Sequence, residues 1–452
     1  MEKLRDGLLS RGLGLRRSRT GIVVKNVLLA GSVKGLSLIV SLATMPALMR
    51  FFDDKVVLGL WFTAISIVNW ILSLDFGIGN GLRHTLVHAL GDGDRGRARS
   101  EISGAYATST IIAVLVLITG GIVIGLVDWS KTLNVGADHL SRSGVRTVVS
   151  ALFVGVVVQS VLRVVSFALY ALQRSAMNNV MSLVTSTSVL IFVLLSPPAV
   201  GDADVFRLCL AYGFAANLPL GVATIVVFGG PLRGLSPSPR LMSLRSMVFA
   251  LKSGWVFFYN QLAYMLLLGT SPFLITSFIG PAASADYQVY YTLFSIAGTI
   301  MMLALTPLWS AVTLALAEGD VRWILRGLAR MEIAVLLIVG FEMLLVVAAP
   351  FVFRVWLGGH APHQSWFHAF CLAVFGSVFV WHGVLATFAA GLAKLRLQAV
   401  SYTLGIFVKV GGAVVLSGIW KEWGVMPLLD SVVLGLYCIL EHRSIREKLL
   451  GQ

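Results

Sequence analysis

Three cations in this sequence each fall in the middle of a long apolar run: Lys34, Arg163 and Lys409. A Lys or Arg at the centre of a membrane helix costs about 2.5 to 3.5 kcal/mol on the insertion scale, so such a residue faces a polar cavity or a partner. Their neighbours favour a cavity. On a helix, Gln159, Arg163, Ser166 and Tyr170 stand at i, i+4, i+7 and i+11 and share one face, while Val, Leu and Phe fill the others. Gln398, Tyr402, Gly405 and Lys409 repeat the arrangement, and Lys34 shares a face with Ser37, Ser41 and Thr44. Ser66, Asn69, Ser73 and Asn80 make one more narrow polar stripe. A water-filled, positively charged central cavity is the expectation, and it suits an anionic ligand because Arg and Lys make the charge-assisted contacts that phosphate oxygens favour. The alternative is that these cations pair with buried acids. Glu342 is the acid placed well inside a run, with Glu332, Asp75 and Asp430 nearer run ends; Glu342 and Asp75 are candidates for coupling protons or cations. Lys25, Arg50, Arg83 and Lys252 fall near run ends, where snorkelling to lipid headgroups competes with ligand binding.

The elements that would position these groups are membrane helices. A chain of 452 residues that is 57% hydrophobic and 12% charged has too little polar surface for a water-soluble globule. About twelve spans are predicted, at 22–48, 56–80, 102–127, 146–170, 178–197, 206–229, 249–278, 286–316, 328–353, 366–391, 397–419 and 425–440. The net charge of +14 is spread in short clusters between the runs, so it reports topology and not nucleic-acid binding. With both termini placed in the cytoplasm, most Lys and Arg, including Arg95, Arg97, Arg99, Arg240, Arg245, Arg322, Arg326 and Arg330, fall on the inner side. The Arg-rich start before 22–48 is not a cleaved leader, because that apolar run is too long.

The halves echo one another. Ala89-Leu90-Gly91-Asp92-Gly93-Asp94 is matched half a chain later by Ala315-Leu316-Ala317-Glu318-Gly319-Asp320, where Gly ends one helix and Asp caps the next. Six is even, so two six-helix halves share one orientation and are related by a pseudo-two-fold axis along the membrane normal, with the substrate site between them. The expected organisation is a basic cytoplasmic segment 1–21, a first lobe 22–229, a basic linker 230–247, a second lobe 248–441 and a cytoplasmic tail 442–452. In the second lobe, Pro272 and the Thr306-Pro307-Leu308-Trp309 stretch are expected to break spans seven and eight.

Several chemistries have no residues to support them. Cys209, Cys371 and Cys438 are scattered through apolar runs without disulfide or metal spacing, and the His residues show no ligand spacing. No Gly-x-x-x-x-Gly-Lys-Ser/Thr loop is present for ATP, and no soluble loop approaches the ~50 residues of a catalytic domain. No cofactor is expected, and the chain is not read as an enzyme.

A resemblance adds to this reading. Leu251-Lys252-Ser253-Gly254-Trp255-Val256-Phe257-Phe258, Gln261-Leu262, Ile279-Gly280-Pro281, Tyr287-Gln288-Val289, Pro307-Leu308-Trp309 and Glu318-Gly319-Asp320 with Trp323, together with Leu74-Asp75-Phe76-Gly77-Ile78-Gly79-Asn80-Gly81-Leu82-Arg83 in the first half, resemble the polysaccharide and O-antigen flippases of the multidrug/oligosaccharidyl-lipid/polysaccharide exporter superfamily. The resemblance implies a bacterial inner-membrane protein of the lipopolysaccharide and polysaccharide pathways, which flips a polyprenyl-diphosphate-linked oligosaccharide from the cytoplasmic to the periplasmic leaflet by alternating access. Arg163, Lys409 and Lys34 would then hold the diphosphate or acidic sugars, with Lys252 and Lys25 at the cytoplasmic mouth. Besides substrate and membrane lipids, a polysaccharide polymerase and glycosyltransferases are the implied partners. Alternatives are a multidrug or cation antiporter on the same fold, a glycan polymerase or ligase, for which the outer loops are short, and a non-transporting scaffold for glycan assembly.

Overall fold

The computed structural model describes residues 31–73, 78–172, 174–238, 258–392 and 394–450. Lys25, Asp75 and Lys252 lie outside the described residues. Among those residues every regular element is a helix, and there is no strand. Eleven helices are long and apolar enough to cross a membrane, and one bent pair makes a twelfth span.

In the first lobe these are α1 (Gly31–Phe52), α2 (Lys55–Ser73) with α3 (Ile78–Gly91) after it, α4 (Arg95–Leu126), α6 (Arg142–Leu162) with α7 (Val164–Ala171), α8 (Ser175–Leu195) and α9 (Asp202–Gly229); α5 (Trp129–Thr132) is a single turn in a loop. The second lobe holds α10 (258–268) with α11 (Ser271–Phe278), α12 (Pro281–Phe294) with α13 (Ile296–Ala317), α14 (Val321–Leu357), α15 (Trp366–Gly391), α16 (Arg396–Ile419) and α17 (Val425–Leu450). The start of the linker folds back on α4, where Arg95 Nη2 donates to the Arg233 carbonyl at 2.6 Å and Arg99 Nε to that of Ser236 at 3.1 Å.

The internal repeat is visible in backbone geometry. Gly93 and Gly319 have φ of 72° and 73°, the left-handed conformation that ends a helix, and the next residue caps the following one. Asp94 accepts from the Arg97 amide at 2.9 Å and Asp320 from the Trp323 amide at 3.0 Å. Two more turns match half a chain apart. Asp53 and Gly280 both take positive φ just before α2 and α12. The Arg174 and Lys394 amides each donate back to a carbonyl five residues earlier, at 2.8 Å.

The lobes meet at one end. A single apolar core there joins α1, α2, α6 and α9 to α11, α12, α14, α15 and α17, and includes Phe52, Trp61, Val145, Ile275, Tyr290, Phe353 and Met426. At the other end, which carries the C-terminus, the core divides in two: Leu86, Ile102 and Leu169 belong to the first lobe, Ile324, Phe388 and Ile445 to the second. The molecule is therefore a V, closed where the two cores merge. Its seam is α2 on α12. Gly59 sits directly on the Pro281 backbone, where any Cβ would overlap it. One turn on, the buried Thr63 hydroxyl meets those of Thr276 and Ser284, the latter at 3.3 Å, and Lys55 pairs with Asp286 at 3.3 Å. Trp70 Nε1 donates to the Gly269 carbonyl at 2.9 Å and Trp356 Nε1 to that of Leu42 at 2.8 Å, tying each lobe to the other.

The breaks differ in part from expectation. Span seven is interrupted at 269–270, and Pro272 opens α11 in its first turn, where its missing N–H costs nothing. Span eight bends by 48° at Ser295, whereas the backbone stays helical through 306–309. Ser295 Oγ bonds the Thr292 carbonyl and Thr299 Oγ1 the Ser295 carbonyl, at 3.3 and 3.0 Å. Such bonding back to the preceding turn bends a helix. Pro219 and Pro350 also sit inside continuous helices, so Pro272 stands at a break and Pro307 does not.

Gly59→Val would force α2 off Pro281 at a cost of about 1 to 3 kcal/mol, seen as a lower melting temperature in detergent and as greater reagent access to cysteines placed along the seam. Beside the seam, His139 Nδ1 and Asp54 Oδ2 are 2.6 Å apart, and that hydrogen bond holds the imidazole above its usual range. Because the folded value is raised, the stabilisation is complete below the ordinary imidazole value of about 6.5 and is lost as pH rises through the raised value. The melting temperature should fall across that window in the parent protein and lose this component in Asp54→Asn.

Candidate functional site

The arms of the V enclose one large cavity of about 740 Å³. Its walls are almost wholly first-lobe: Ser41 and Thr44 from α1, Asn69 and Ser73 from α2, Gln159 from α6, Ser166 and Tyr170 from α7, Asn178, Asn179, Ser182 and Thr185 from α8, and Tyr212 from α9. The second lobe adds Gln288 and Thr292 of α12. Trp61 and Phe62 supply flat apolar faces at its closed end. No Asp, Glu or Lys lines it among the described residues, and Arg163 is the one charged group in the wall.

The stripe expected on span four is intact. Gln159, Arg163, Ser166 and Tyr170 all line the cavity, although the helix breaks between α6 and α7 at Arg163 itself. Arg163 Nη1 donates to the Leu72 carbonyl near the end of α2 at 2.9 Å, and its guanidinium lies 6.0 Å from the Phe167 ring centre. Most of the guanidinium's five donors are not used by that single bond. The carboxamides of Asn69, Gln159, Asn179 and Gln288 form no side-chain hydrogen bond with another described residue. Asn178 is held by the Ser166 carbonyl at 3.1 Å, and its Oδ1 has no partner. The wall is thus a set of neutral amide and hydroxyl groups around one cation, with aromatic faces for sugar rings or other planar apolar surfaces.

The other expected cations stand elsewhere. Lys34 is half-buried on α1, below the part of that stripe, Ser41 and Thr44, that reaches the cavity. Lys409 is fully buried inside the second lobe. Its ammonium donates to the Leu267 carbonyl, to Ser271 Oγ at 2.7 Å and to Asp430 Oδ2 at 3.1 Å, with Oδ1 at 2.9 Å off the hydrogen-bond direction. Three protons meet three acceptors, so nothing remains for a ligand in this conformation. Leu267 and Ser271 flank the break in span seven, and Lys409 thereby supplies a donor where a broken helix leaves carbonyls short of one. The polar face of α16 accordingly looks into its own lobe: Tyr402 is buried, hydrogen-bonded by Gln398 at 2.7 Å and paired with His382 Nε2. Among the described residues the cavity is polar with one arginine, in place of the cation-rich wall expected from Lys34, Arg163 and Lys409.

Asp430, expected near a span end, is the residue that sequence reasoning missed. It is buried in the second turn of α17, together with Glu441 further along the same helix. Glu342 is also fully buried, in the second lobe and away from the cavity. Among the described residues no three His, Cys, Asp or Glu side chains are grouped to hold a metal ion.

No protein-family model matches the sequence, and no curated protein matches it. Solved structures do. The chain superimposes on an inward-facing conformation of a multidrug resistance MATE family transporter of the MOP superfamily with a TM-score of 0.71 at 14% identity, covering 94% of this chain and 98% of that one. It matches an outward-facing conformation from the same family with a TM-score of 0.62 at 12% identity, covering 95% and 97%. A mutant of the Vibrio cholerae MATE transporter VcmN gives 0.63 at 14% identity, covering 96% and 99%. At these identities what is shared is the fold, along the whole length of both chains.

The Lys409–Asp430 pair generates a prediction about stability. Lys409→Ala or Asp430→Ala leaves an uncompensated buried charge and should cost about 3 to 5 kcal/mol, whereas the double replacement Lys409→Met with Asp430→Leu should recover most of it. Melting temperatures of the three variants in one detergent check this.

Proposed function

We propose that this protein is a secondary transporter that flips a polyprenyl-diphosphate-linked oligosaccharide, the repeat unit of a polysaccharide or O-antigen, between membrane leaflets by alternating access. The observation that carries this reading is the chemistry of the cavity wall. Carboxamides and hydroxyls can exchange hydrogen bonds with sugar hydroxyls, aromatic faces can cover sugar rings, and Arg163 can grip a phosphate or an acidic sugar through its planar fork. The flippase-like motifs at Gly280-Pro281 and Tyr287-Gln288 fall at the α2–α12 seam and on the cavity wall, which supports the same reading.

With the termini placed in the cytoplasm, the conformation is open inward. Its closer likeness to the inward-facing solved structure, 0.71 against 0.62, agrees. The oligosaccharide would enter between the arms while its polyprenyl tail stays in lipid. Opening of the α2–α12 seam and closing of the arms would then present it to the other leaflet. In this reading Arg163 binds substrate, Lys409 holds the break in span seven, and Lys34, Lys25 and Lys252 guide the anionic headgroup toward the mouth. The protein would work in the bacterial inner membrane beside a polysaccharide polymerase and the glycosyltransferases that build its substrate.

The competing reading, a multidrug or cation antiporter, draws on the structural neighbours, which include a multidrug resistance transporter. A cationic drug calls for an acid or an electron-rich cage in the wall, and the described wall has no acid and sets its own cation, Arg163, over the Phe167 ring.

The test is leaflet transfer of a fluorescent lipid-linked oligosaccharide by purified protein in liposomes. Arg163→Ala should lower the rate about tenfold or more, as expected for loss of a charge-assisted contact, with a melting temperature lowered only by the loss of its bond to the Leu72 carbonyl, about 1.5 to 3 kcal/mol. An unchanged rate in that variant would remove Arg163 from the site. Failure to move any lipid-linked glycan, together with efflux of organic cations, would replace the proposal with the antiporter reading.

A further inference from the structure

The matched turns Gly93-Asp94 and Gly319-Asp320 start equivalent helices, α4 and α14, yet the surfaces beside those turns differ between the lobes. In the first lobe the chain covers its own surface. The start of the linker lies along α4, where Arg95 and Arg99 hold two of its carbonyls, the Ser238 amide donates to Ser103 Oγ at 3.0 Å, and Leu232 and Leu235 are buried in the first-lobe core. The corresponding part of α14 is bare: Arg322, Arg326, Ala329 and Arg330 are all exposed. Aligning Asp94 with Asp320 matches those four residues to Gly96, Ser100, Ser103 and Gly104 of α4. The three arginines are therefore particular to the second lobe and are no shared feature of the repeat.

Spaced at i, i+4 and i+8, Arg322, Arg326 and Arg330 stand on one face of α14. That face continues into Ile333, Leu337 and Leu344, which are exposed, while Ile324, Leu328 and Val335 form the opposite, buried side. Exposed apolar side chains run on the same face from Ile333 to Val355, about 33 Å at ~1.5 Å per residue, which matches the ~30 Å hydrocarbon core. Arg330 thus stands at the edge of the hydrocarbon, with Arg326 and Arg322 about 6 and 12 Å beyond it, through the headgroup layer and on the side of the helix turned to lipid. Trp323 is exposed beside them, a residue type suited to that depth. Among the described residues none of the three arginines is in an ion pair. The nearest acid along the helix, Glu332, lies 2.7 Å from His442, and Asp320 caps the Trp323 amide. Arg326 Nε donates to the Arg322 carbonyl at 3.2 Å, and the other donors of both guanidiniums have no protein acceptor among the described residues.

We propose that this stripe is a binding site for the headgroups of anionic membrane lipids, which cover in the second lobe the surface that the linker covers in the first. Guanidinium forks match phosphate oxygens, and three of them at headgroup depth with no protein counter-charge call for anions from the bilayer itself. A soluble protein would have to displace the headgroups to reach a face continuous with the lipid-facing side of α14. With the termini placed in the cytoplasm, the lipids are those of the cytoplasmic leaflet. This binding is independent of which cargo the cavity takes.

The test titrates purified full-length protein in neutral detergent with phosphatidylglycerol or phosphatidylcholine and counts bound lipids by native mass spectrometry. The parent should bind phosphatidylglycerol in preference to phosphatidylcholine. Each arginine beside an anionic surface contributes about fivefold in affinity, so Arg326→Gln should weaken the tightest phosphatidylglycerol about fivefold and the triple replacement Arg322→Gln, Arg326→Gln, Arg330→Gln about tenfold or more. Removing three cations at the other end of the molecule, with Lys131→Gln, Arg142→Gln and Arg354→Gln, should leave the preference as in the parent. An equal loss in that control would assign the effect to net charge and overturn the proposal, as would a triple α14 variant that binds phosphatidylglycerol like the parent. A parent without preference for phosphatidylglycerol would also overturn it and leave the stripe to a protein partner.

Discussion

The structure depends on how closely the backbone of α2 approaches that of α12. Gly59 against Pro281 brings the two spans together without intervening side chains. At that distance the hydroxyls of Thr63, Thr276 and Ser284 can satisfy one another in a buried layer. In hydrocarbon a polar group left without a partner costs several kcal/mol, so this layer holds only while the seam is shut and water is excluded. Hydroxyl pairs exchange readily for water once the seam parts. The same contact that closes one end therefore leaves the other free, because two rigid bundles joined at one end and packed on separate cores at the other can only splay.

The two lobes share a plan and divide the chemistry. The first lobe keeps its polar groups on the surface that faces the partner lobe, where they line the cavity, and its buried core there is apolar. The second lobe buries its polar groups inside itself: the Lys409–Asp430 pair at the break of span seven, the His382–Tyr402 contact, and the carboxyls of Glu342 and Glu441, neither of them hydrogen-bonded among the described residues. A lobe built in this way is costly to assemble, and its internal pairs are sensitive to changes in helix position. The division leaves the chemistry of the cavity wall to one lobe and the buried polar contacts to the other.

Much of this was legible in the sequence, and what was not has a physical reason. Apolar runs near the length of the hydrocarbon core marked the spans, and the cavity face of span four followed from Gln159, Arg163, Ser166 and Tyr170 at helical spacing. Periodicity says which residues share a face but not where the face points. The equally good stripe on span eleven looks inward to its own lobe, so Lys409 meets Asp430 and no ligand. That partnership was hidden because the two residues sit at different distances from the loop joining their helices. The long lysine stem closes a gap that a count at ~1.5 Å per residue leaves open. Proline marked the break in span seven, at Pro272, but not that in span eight, where the helix runs on through Pro307 because neighbouring helices and hydroxyl side chains can take up the freed backbone groups. The bend came instead from Ser295 and Thr299, which are common residues inside spans and carry no such signal on their own.

The matched turns at Asp53 and Gly280 and at Gly93 and Gly319 have a further consequence. They make α2 and α12 equivalent elements of a duplicated unit, packed on each other across the pseudo-two-fold. In a self-complementary contact of that kind, if one position touches a second, the counterpart of the first touches the counterpart of the second. Gly59 touches Pro281, and the corresponding positions half a chain away, Asp286 and Asp54, fall where Asp286 meets Lys55. The seam thus has the form of a self-complementary contact between two copies of one unit. A single six-span unit with that face exposed could pair with a parallel copy of itself through the same contacts.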